Sequence, residues 1–391
     1  MEKPELGIYV HIPFCKKKCN YCDFISYSNK INEIERYVDK VRQEINSYNL
    51  EEYNVTTIYI GGGTPSYIDS KYIYDILQEI KIKLKNNKTH FEDIEVTIEV
   101  NPGTVTEEKL KTYKELGINR LSIGLQSTNN ELLEQIGRIH KYEEFLNTYQ
   151  LAREVGFKNI NIDLMIGLPN QNIENIKEDL LKIKKLNPEH VSIYSLIIEE
   201  GTPIEKQLRS GKIQLPDEEL ERQMYWYVKN TLELNGYKHY EISNFAKEGK
   251  ESKHNLNCWE QKEYIGIGVA AHSYLEGIRY SNTENFEKYL QAEFKCNKMK
   301  EKELEKNQIR IVEEVQDLES KKKEFMLLGL RKIEGVKISE FKEKFIQNPI
   351  YLYRKRLDKL VKENLIRIEG DFIRLTNRGL DLANLVWEEF V

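Results

Sequence analysis

Three of the chain's five cysteines fall within eight residues: Cys15, Cys19 and Cys22, spaced C-x3-C-x2-C directly after the run Tyr9-Val-His-Ile-Pro-Phe. In a chain without secretory features, thiols gathered this tightly point to metal rather than to disulfides. A structural zinc site closes on four ligands, and His11 or Asp23 could complete one. A cube of four irons and four sulfides held by three thiolates instead keeps one iron free for another ligand. Lys16, Lys17 and Lys18 between the thiols would favour thiolates and an anionic cluster, or else form a solvated loop.

Other polar residues recur at comparable places. Gly61, Gly62 and Gly63, followed by Thr64 and Pro65, let backbone approach a ligand and offer amide donors. Glu99, in Glu-Val-Asn-Pro, suits a ribose hydroxyl or an ammonium group, and Gln126 ends Gly-Leu-Gln. Arg138, in Gly-Arg-Ile-His, could meet a carboxylate through its fork, and Asp163 could accept from hydroxyls. Singly, each fits a satisfied structural polar group. Their recurrence at strand ends favours one shared ligand.

The elements that must position them alternate. Strands are expected over 6–12, 56–60, 94–100, 120–126, 159–166 and 190–198, and helices over 31–48, 71–84, 106–116, 142–155 and 172–186. Gly117, Gly156 and Gly236 stand where helices end in a left-handed residue. Strands alternating with helices imply a parallel sheet with right-handed crossovers. One phase of each strand is apolar, as in Leu121, Ile123 and Leu125, whereas the other carries Tyr9, His11, Thr97, Glu99, Ser122, Gln126, Asn161 and Asp163. A sheet covered on both faces would be apolar in both phases. The fold class is therefore α/β, a partial (β/α)6 barrel with helices outside and a polar ligand at the rim. Gly266-Ile-Gly-Val-Ala-Ala271 superficially fits a dinucleotide fingerprint but lacks the following βα unit, and reads as close backbone packing.

At 391 residues the chain holds one large domain and a smaller one, expected as 1–300 and 324–391 around a charged connection or exposed helix over 301–323. In the smaller part, 325–330, 338–345 and 351–361 have helical periodicity, 365–375 reads as a hairpin turning at Glu369-Gly370-Asp371, and a last helix starts at Thr376. This is a winged-helix-like α+β module. Arg354, Lys355 and Arg356 could touch phosphates, but acidic neighbours and a net charge of -5 argue against nucleic acid as a partner. No apolar run reaches the length of a membrane span, and the expected location is the cytoplasm. The oligomeric state is open, a homodimer included.

As a set, the cysteine motif, Gly-Gly-Gly-Thr-Pro, Glu99-Val-Asn-Pro, Gly-Leu-Gln126-Ser, Gly-Arg138-Ile-His and the Asp163 run resemble the radical S-adenosylmethionine superfamily. More narrowly, over about the first two hundred residues, they resemble its oxygen-independent coproporphyrinogen III oxidase group. The resemblance implies a [4Fe-4S] cluster on Cys15, Cys19 and Cys22. It also implies S-adenosylmethionine bound by Tyr9, Tyr21, Gly62, Gly63, Thr64, Glu99, Gln126, Arg138 and Asp163. True oxidases carry a further cysteine two residues after the third ligand and a longer N-terminal extension. Here Phe24 stands in that place and fourteen residues precede Cys15, which resembles the haem chaperone branch, the HemW type.

The run His254-Asn-Leu-Asn-Cys258-Trp259 is similar to that branch's H-N-x-x-Y-W motif, with cysteine where tyrosine is usual. The similarity implies His254 as a haem ligand and Trp259 against a porphyrin face. A histidine bonded to backbone is the other reading. The branch implies haem handed to acceptor proteins, respiratory membrane proteins foremost, with the C-terminal module covering the barrel mouth or docking the acceptor. Two alternatives stay open: radical decarboxylation of coproporphyrinogen propionates, and a metal-dependent regulator that uses the winged helix on DNA.

Overall fold

The computed structural model describes residues 3–85, 90–294 and 309–391. Strands β1 (Glu5–Ile12), β2 (Asn54–Gly62), β3 (Glu95–Val100), β4 (Arg120–Gln126), β5 (Ile160–Ile166) and β6 (His190–Ser195) pair in parallel in that order. Helices Ile34–Ser47, Ser70–Leu84, Glu107–Glu115, Tyr142–Val155 and Ile173–Leu186 alternate with them. The outward phase of the strands, Val10, Ile60, Ile98, Ile123 and Ile162, shares one core with Ile45, Leu77, Leu110, Phe145 and Leu180 from those helices. Burying a side chain of this size contributes roughly 1.5–3 kcal/mol, so the alternation fixes which face of each strand turns outward. Gly117 and Gly156 end two of the helices at φ +88° and +94°, as their spacing predicts.

The inward phase lines a lumen. Tyr9, Tyr59, Glu99 and Asp163 keep partial exposure and Tyr194 is 41% exposed, while Val10, Ile60, Ile98, Ile162 and Ile193 beside them are buried. The sheet is wider than six units. A parallel β9 (Glu263–Ile267) joins β1, and antiparallel β10 (His272–Leu275), β11 (Ile278–Asn282) and β12 (Arg310–Val315) continue that edge. At the other edge β8 (Asn244–Ala246) and β7 (Lys238–Glu241) follow β6. The twelve-stranded order runs from β12 to β7 without closing, which makes the barrel partial. Close backbone packing is found at Gly266, where a Cβ would lie 2.1 Å from the His272 carbonyl oxygen.

Within 309–323 the structure differs from a simple charged connection or exposed helix. Residues 301–308 lie outside the described residues, β12 belongs to the main sheet, and helix Leu318–Gly329 opens the C-terminal module. Charges at Arg310, Glu313 and Glu314 hide β12 in the sequence, although Arg310 turns inward, over the Tyr48 ring at 4.9 Å and 3.9 Å from Glu44. The module follows the expected order: helices Ile338–Phe345, Pro349–Leu352 and Arg354–Lys362, then the hairpin Ile366–Glu369 with Phe372–Leu375. The pair Val336–Lys337 adds a third strand. Phe341, Phe345, Leu357, Leu360 and Ile373 form its separate core. Among the described residues no helix is long and apolar enough to cross a membrane.

Candidate metal centre and ligand site

β1 delivers the chain to Pro13, which has no amide with which to continue the ladder. The Tyr27 amide donates to the Pro13 carbonyl at 2.6 Å and the Cys15 amide to the Tyr27 carbonyl at 3.0 Å, closing the cysteine loop. Its far side is tied down by Asn20, whose amide reaches the Ile136 carbonyl at 2.9 Å and whose carbonyl accepts from the Ile204 amide at 3.0 Å. Gly137, at φ +78°, makes room for this contact, because a Cβ there would meet Asn20 Oδ1 at 2.6 Å. Cys15 is buried and Cys19 and Cys22 are half-buried. Burial pushes the Cys15 thiol up and that of Cys22 to about 11, so a metal must supply the charge that draws off their protons.

His11 does not stand ready as a fourth ligand. Its Nε2 lies 2.9 Å from the Ile25 carbonyl, which can only accept, so Nε2 carries the proton and Nδ1 accepts from the Tyr9 hydroxyl at 2.9 Å. Both ring nitrogens are used, and burial lowers the imidazole pKa to about 4. Asp23 is exposed. The zinc reading thus loses His11 as its fourth donor, and His11 becomes a strut between Tyr9 and the cysteine loop.

The remaining rim residues converge on that loop. Thr64 Oγ1 lies 3.5 Å from Cys15 Sγ, and Gly63 is so close that a Cβ would sit 3.0 Å from the same sulfur. Gly62, at φ +113°, donates its amide to Glu99 at 3.0 Å, and a Cβ there would meet the His11 ring at 2.5 Å. Arg138 spans the loop and the sheet: Nη1 points at Cys19 Sγ at 3.7 Å, and Nη2 donates to Asn101 Oδ1 at 2.9 Å and the Gly124 carbonyl at 2.6 Å. Its Nε and Gln126 Oε1 are buried without a partner among the described residues. Gln126 takes φ +67° after a bulge in β4, backbone strain of the kind stored at ligand sites. Tyr21 packs beside Leu132, Ile136 and Met165, near Arg138. Tyr9 lies deeper, its hydroxyl spent on His11.

Two acids share this cavity. Asp163 accepts from Asn161 at 2.7 Å and from Ser122 at 3.3 Å, and Glu99 accepts from the Tyr59 hydroxyl at 3.0 Å. Enclosure by protein, then the charge of Asp163, raises the Glu99 pKa to about 7, and enclosure raises Asp163 as well. A cationic ligand would relieve both. Asn101 and Tyr59 are site residues that the motif reading did not single out. Asn101 lies within Glu-Val-Asn-Pro, and Tyr59 stands two residues before Gly61 in the inward phase of β2.

His254 is not brought to this rim. It sits on helix Lys253–Trp259, whose first amides are capped by Glu95 at the start of β3, and its Nδ1 meets Thr57 Oγ1 at 2.9 Å. Its ring stacks on Tyr59 at 5.1 Å, so it closes the far end of the lumen. Trp259 faces the seam with the C-terminal module, where the Arg331 guanidinium lies 4.3 Å from its ring centroid and 5.0 Å from that of Trp387. Burial raises Cys258 to about 11.

The lining beside the three cysteines fits a cationic nucleoside: a glycine cradle against Cys15, unpaired donor and acceptor atoms on Arg138 and Gln126, and two acids whose pKa values enclosure raises. Residues 9–183 match the model of the radical SAM superfamily, and residues 317–382 that of the HemN C-terminal domain. The backbone superposes on coproporphyrinogen III oxidase (HemN) from Escherichia coli with a TM-score of 0.82, covering 100% of this chain and 90% of that one at 24% identity, a likeness of fold. Fold and site together define a radical S-adenosylmethionine protein, a class that uses a [4Fe-4S] cluster and S-adenosylmethionine.

Full-length sequence similarity narrows the class. The heme chaperone HemW of Lactococcus lactis is 38% identical over 100% of this chain and 98% of its own length, and that of Bacillus subtilis 37% over 98% of each. The Escherichia coli HemW is 32% identical over 99% of this chain and 98% of its own length. The chain belongs to the HemW haem chaperone family.

Proposed function

We propose that this chain binds haem and hands it to haem-requiring acceptors, respiratory membrane proteins in the first place, from the cytoplasm. The observation that carries the reading is the end-to-end similarity to chaperones so named, with Phe24 in place of the oxidase cysteine. Cys15, Cys19 and Cys22 would hold the cluster. Gly62, Gly63, Thr64, Glu99, Gln126, Arg138 and Asp163 would hold S-adenosylmethionine: the acids take its positive charge, the unpartnered Nε of Arg138 meets its carboxylate, and Tyr21 and the Tyr9–His11 strut fix the loop above it. When bound, the cluster supplies an electron to the sulfonium. His254 would offer Nε2 to haem iron, since Thr57 engages Nδ1 and burial holds the ring neutral with a pKa of about 4, the form that ligates metal.

The test is anaerobic reconstitution of the full chain, haem titration followed at the Soret band, and a parallel assay with coproporphyrinogen. Stoichiometric haem retention without protoporphyrinogen is the expected result. Turnover of coproporphyrinogen with no haem retained would assign the chain to the oxidase reaction instead.

A further inference from the structure

Arg120 opens β4 in its inward phase and is 2% exposed, yet its guanidinium has no hydrogen bond or ion pair with any described residue. Its Nε is sealed, and the slight exposure that remains includes both terminal nitrogens. Directly across the ladder stands Thr97, whose buried Oγ1 also lacks a partner among the described residues. The groups that feel the charge of Arg120 are Tyr59, Asp163, His190, Tyr240 and His254. His190 and His254 are held neutral by burial, and the Tyr240 hydroxyl is taken up by His190 at 2.8 Å. Asp163 lies beyond ion-pair distance and is engaged by Asn161 and Ser122. A buried guanidinium left in this state costs several kcal/mol. Two terminal nitrogens of a planar fork and a facing hydroxyl match the two oxygens of a carboxylate.

We propose that Arg120 and Thr97 form an internal carboxylate-binding subsite at the closed end of the lumen, beyond Glu99 and Asp163. The carboxylate comes either from a propionate arm of a tetrapyrrole, which rests on the haem reading above, or from a small free acid. Haem and haem dimethyl ester, titrated into the reconstituted full chain, and thermal melts of the apoprotein in acetate or propionate separate the two. For the propionate arm, the ester binds wild type about tenfold more weakly than haem, Arg120→Met binds both alike, and Arg120→Lys, lacking the fork, recovers only part. For a free acid, acetate or propionate raises the melting temperature of wild type and not of Arg120→Met. In either case ligand-free Arg120→Met melts close to wild type, because the desolvation cost that leaves with an unbonded guanidinium offsets the attraction to Asp163 that is lost. Equal binding of haem and ester, together with melts indifferent to carboxylates, overturns the subsite and assigns the pocket to water only. Failure of haem and ester alike sinks the haem reading, and the acetate melts still decide the subsite.

Discussion

Glu99 accepts the Gly62 amide at 3.0 Å, so the carboxylate that ends the third strand holds the glycine loop that ends the second. That loop in turn lies against Cys15 through Gly63 and against His11 through Gly62. The acid, the glycines and the first thiol are thus one mechanical unit.

Glu99 therefore links ligand charge to protons. Its folded pKa of about 7 lies above the ordinary carboxylate value, so its contribution to stability is full below about pH 4.5 and is lost as pH rises through 7. Lumen water screens the charge, and the loss by pH 8 is about 1–2 kcal/mol. Glu99→Gln should flatten the apoprotein's stability between pH 4.5 and 7, raise it at pH 8, and weaken S-adenosylmethionine at least tenfold. Wild type should release up to about half a proton on binding cationic S-adenosylmethionine at pH 7, read by calorimetry in two buffers of different ionisation enthalpy.

Gly62 admits no side chain. Its φ of +113° strains any L-residue, and a Cβ would overlap the His11 ring. Gly62→Ala should cost about 2–4 kcal/mol and displace the His11 strut, lowering iron and sulfide per chain after reconstitution. Denaturant unfolding and metal analysis check both halves.

How legible this was depended on the range of the interaction. The strands β1 to β6 were legible because each alternates, and the rim residues because they share the inward phase. β12 was not, since Ile311 and Val315 are 52% and 49% exposed and its charges look like a solvated face until the distant β11 pairs with it. Tyr59 and Arg120 are not legible, because a lone tyrosine or arginine in a strand carries no motif. Their roles emerge only when neighbouring strands set Glu99 and Thr97 against them.

Five buried histidines should make the protein acid-sensitive. His11, His140, His190, His239 and His254 all have lowered pKa values, chiefly by burial, to about 4 for His11, His239 and His254. A base lowered on folding gives stability that is full above its unfolded value near 6.5 and is lost as pH falls through 4. Glu99 and Asp179, raised to about 7 and about 6, oppose this and blunt the upper part of the window. The melting temperature should fall steeply below about pH 5.5, with uptake of several protons on unfolding. A flat profile from pH 6.5 to 4 would show these rings to be solvated.

The short helix Lys253–Trp259 separates two roles that its motif joins. His254 turns to the lumen, against Tyr59 and Thr57, while Trp259 turns to the module seam, under Arg331. His254→Ala should abolish the histidine-ligated Soret spectrum and weaken haem at least tenfold, leaving the module docked. Trp259→Leu should keep that spectrum and instead remove one face of the cation–π stack, worth about 1–2 kcal/mol, so that the C-terminal module becomes more sensitive to limited proteolysis. Arg331→Ala should reproduce the proteolysis and not the spectrum, because Arg331 also covers Trp387. If Trp259→Leu erases the spectrum and His254→Ala preserves it, the haem lies in the seam and the lumen assignment of the iron ligand fails.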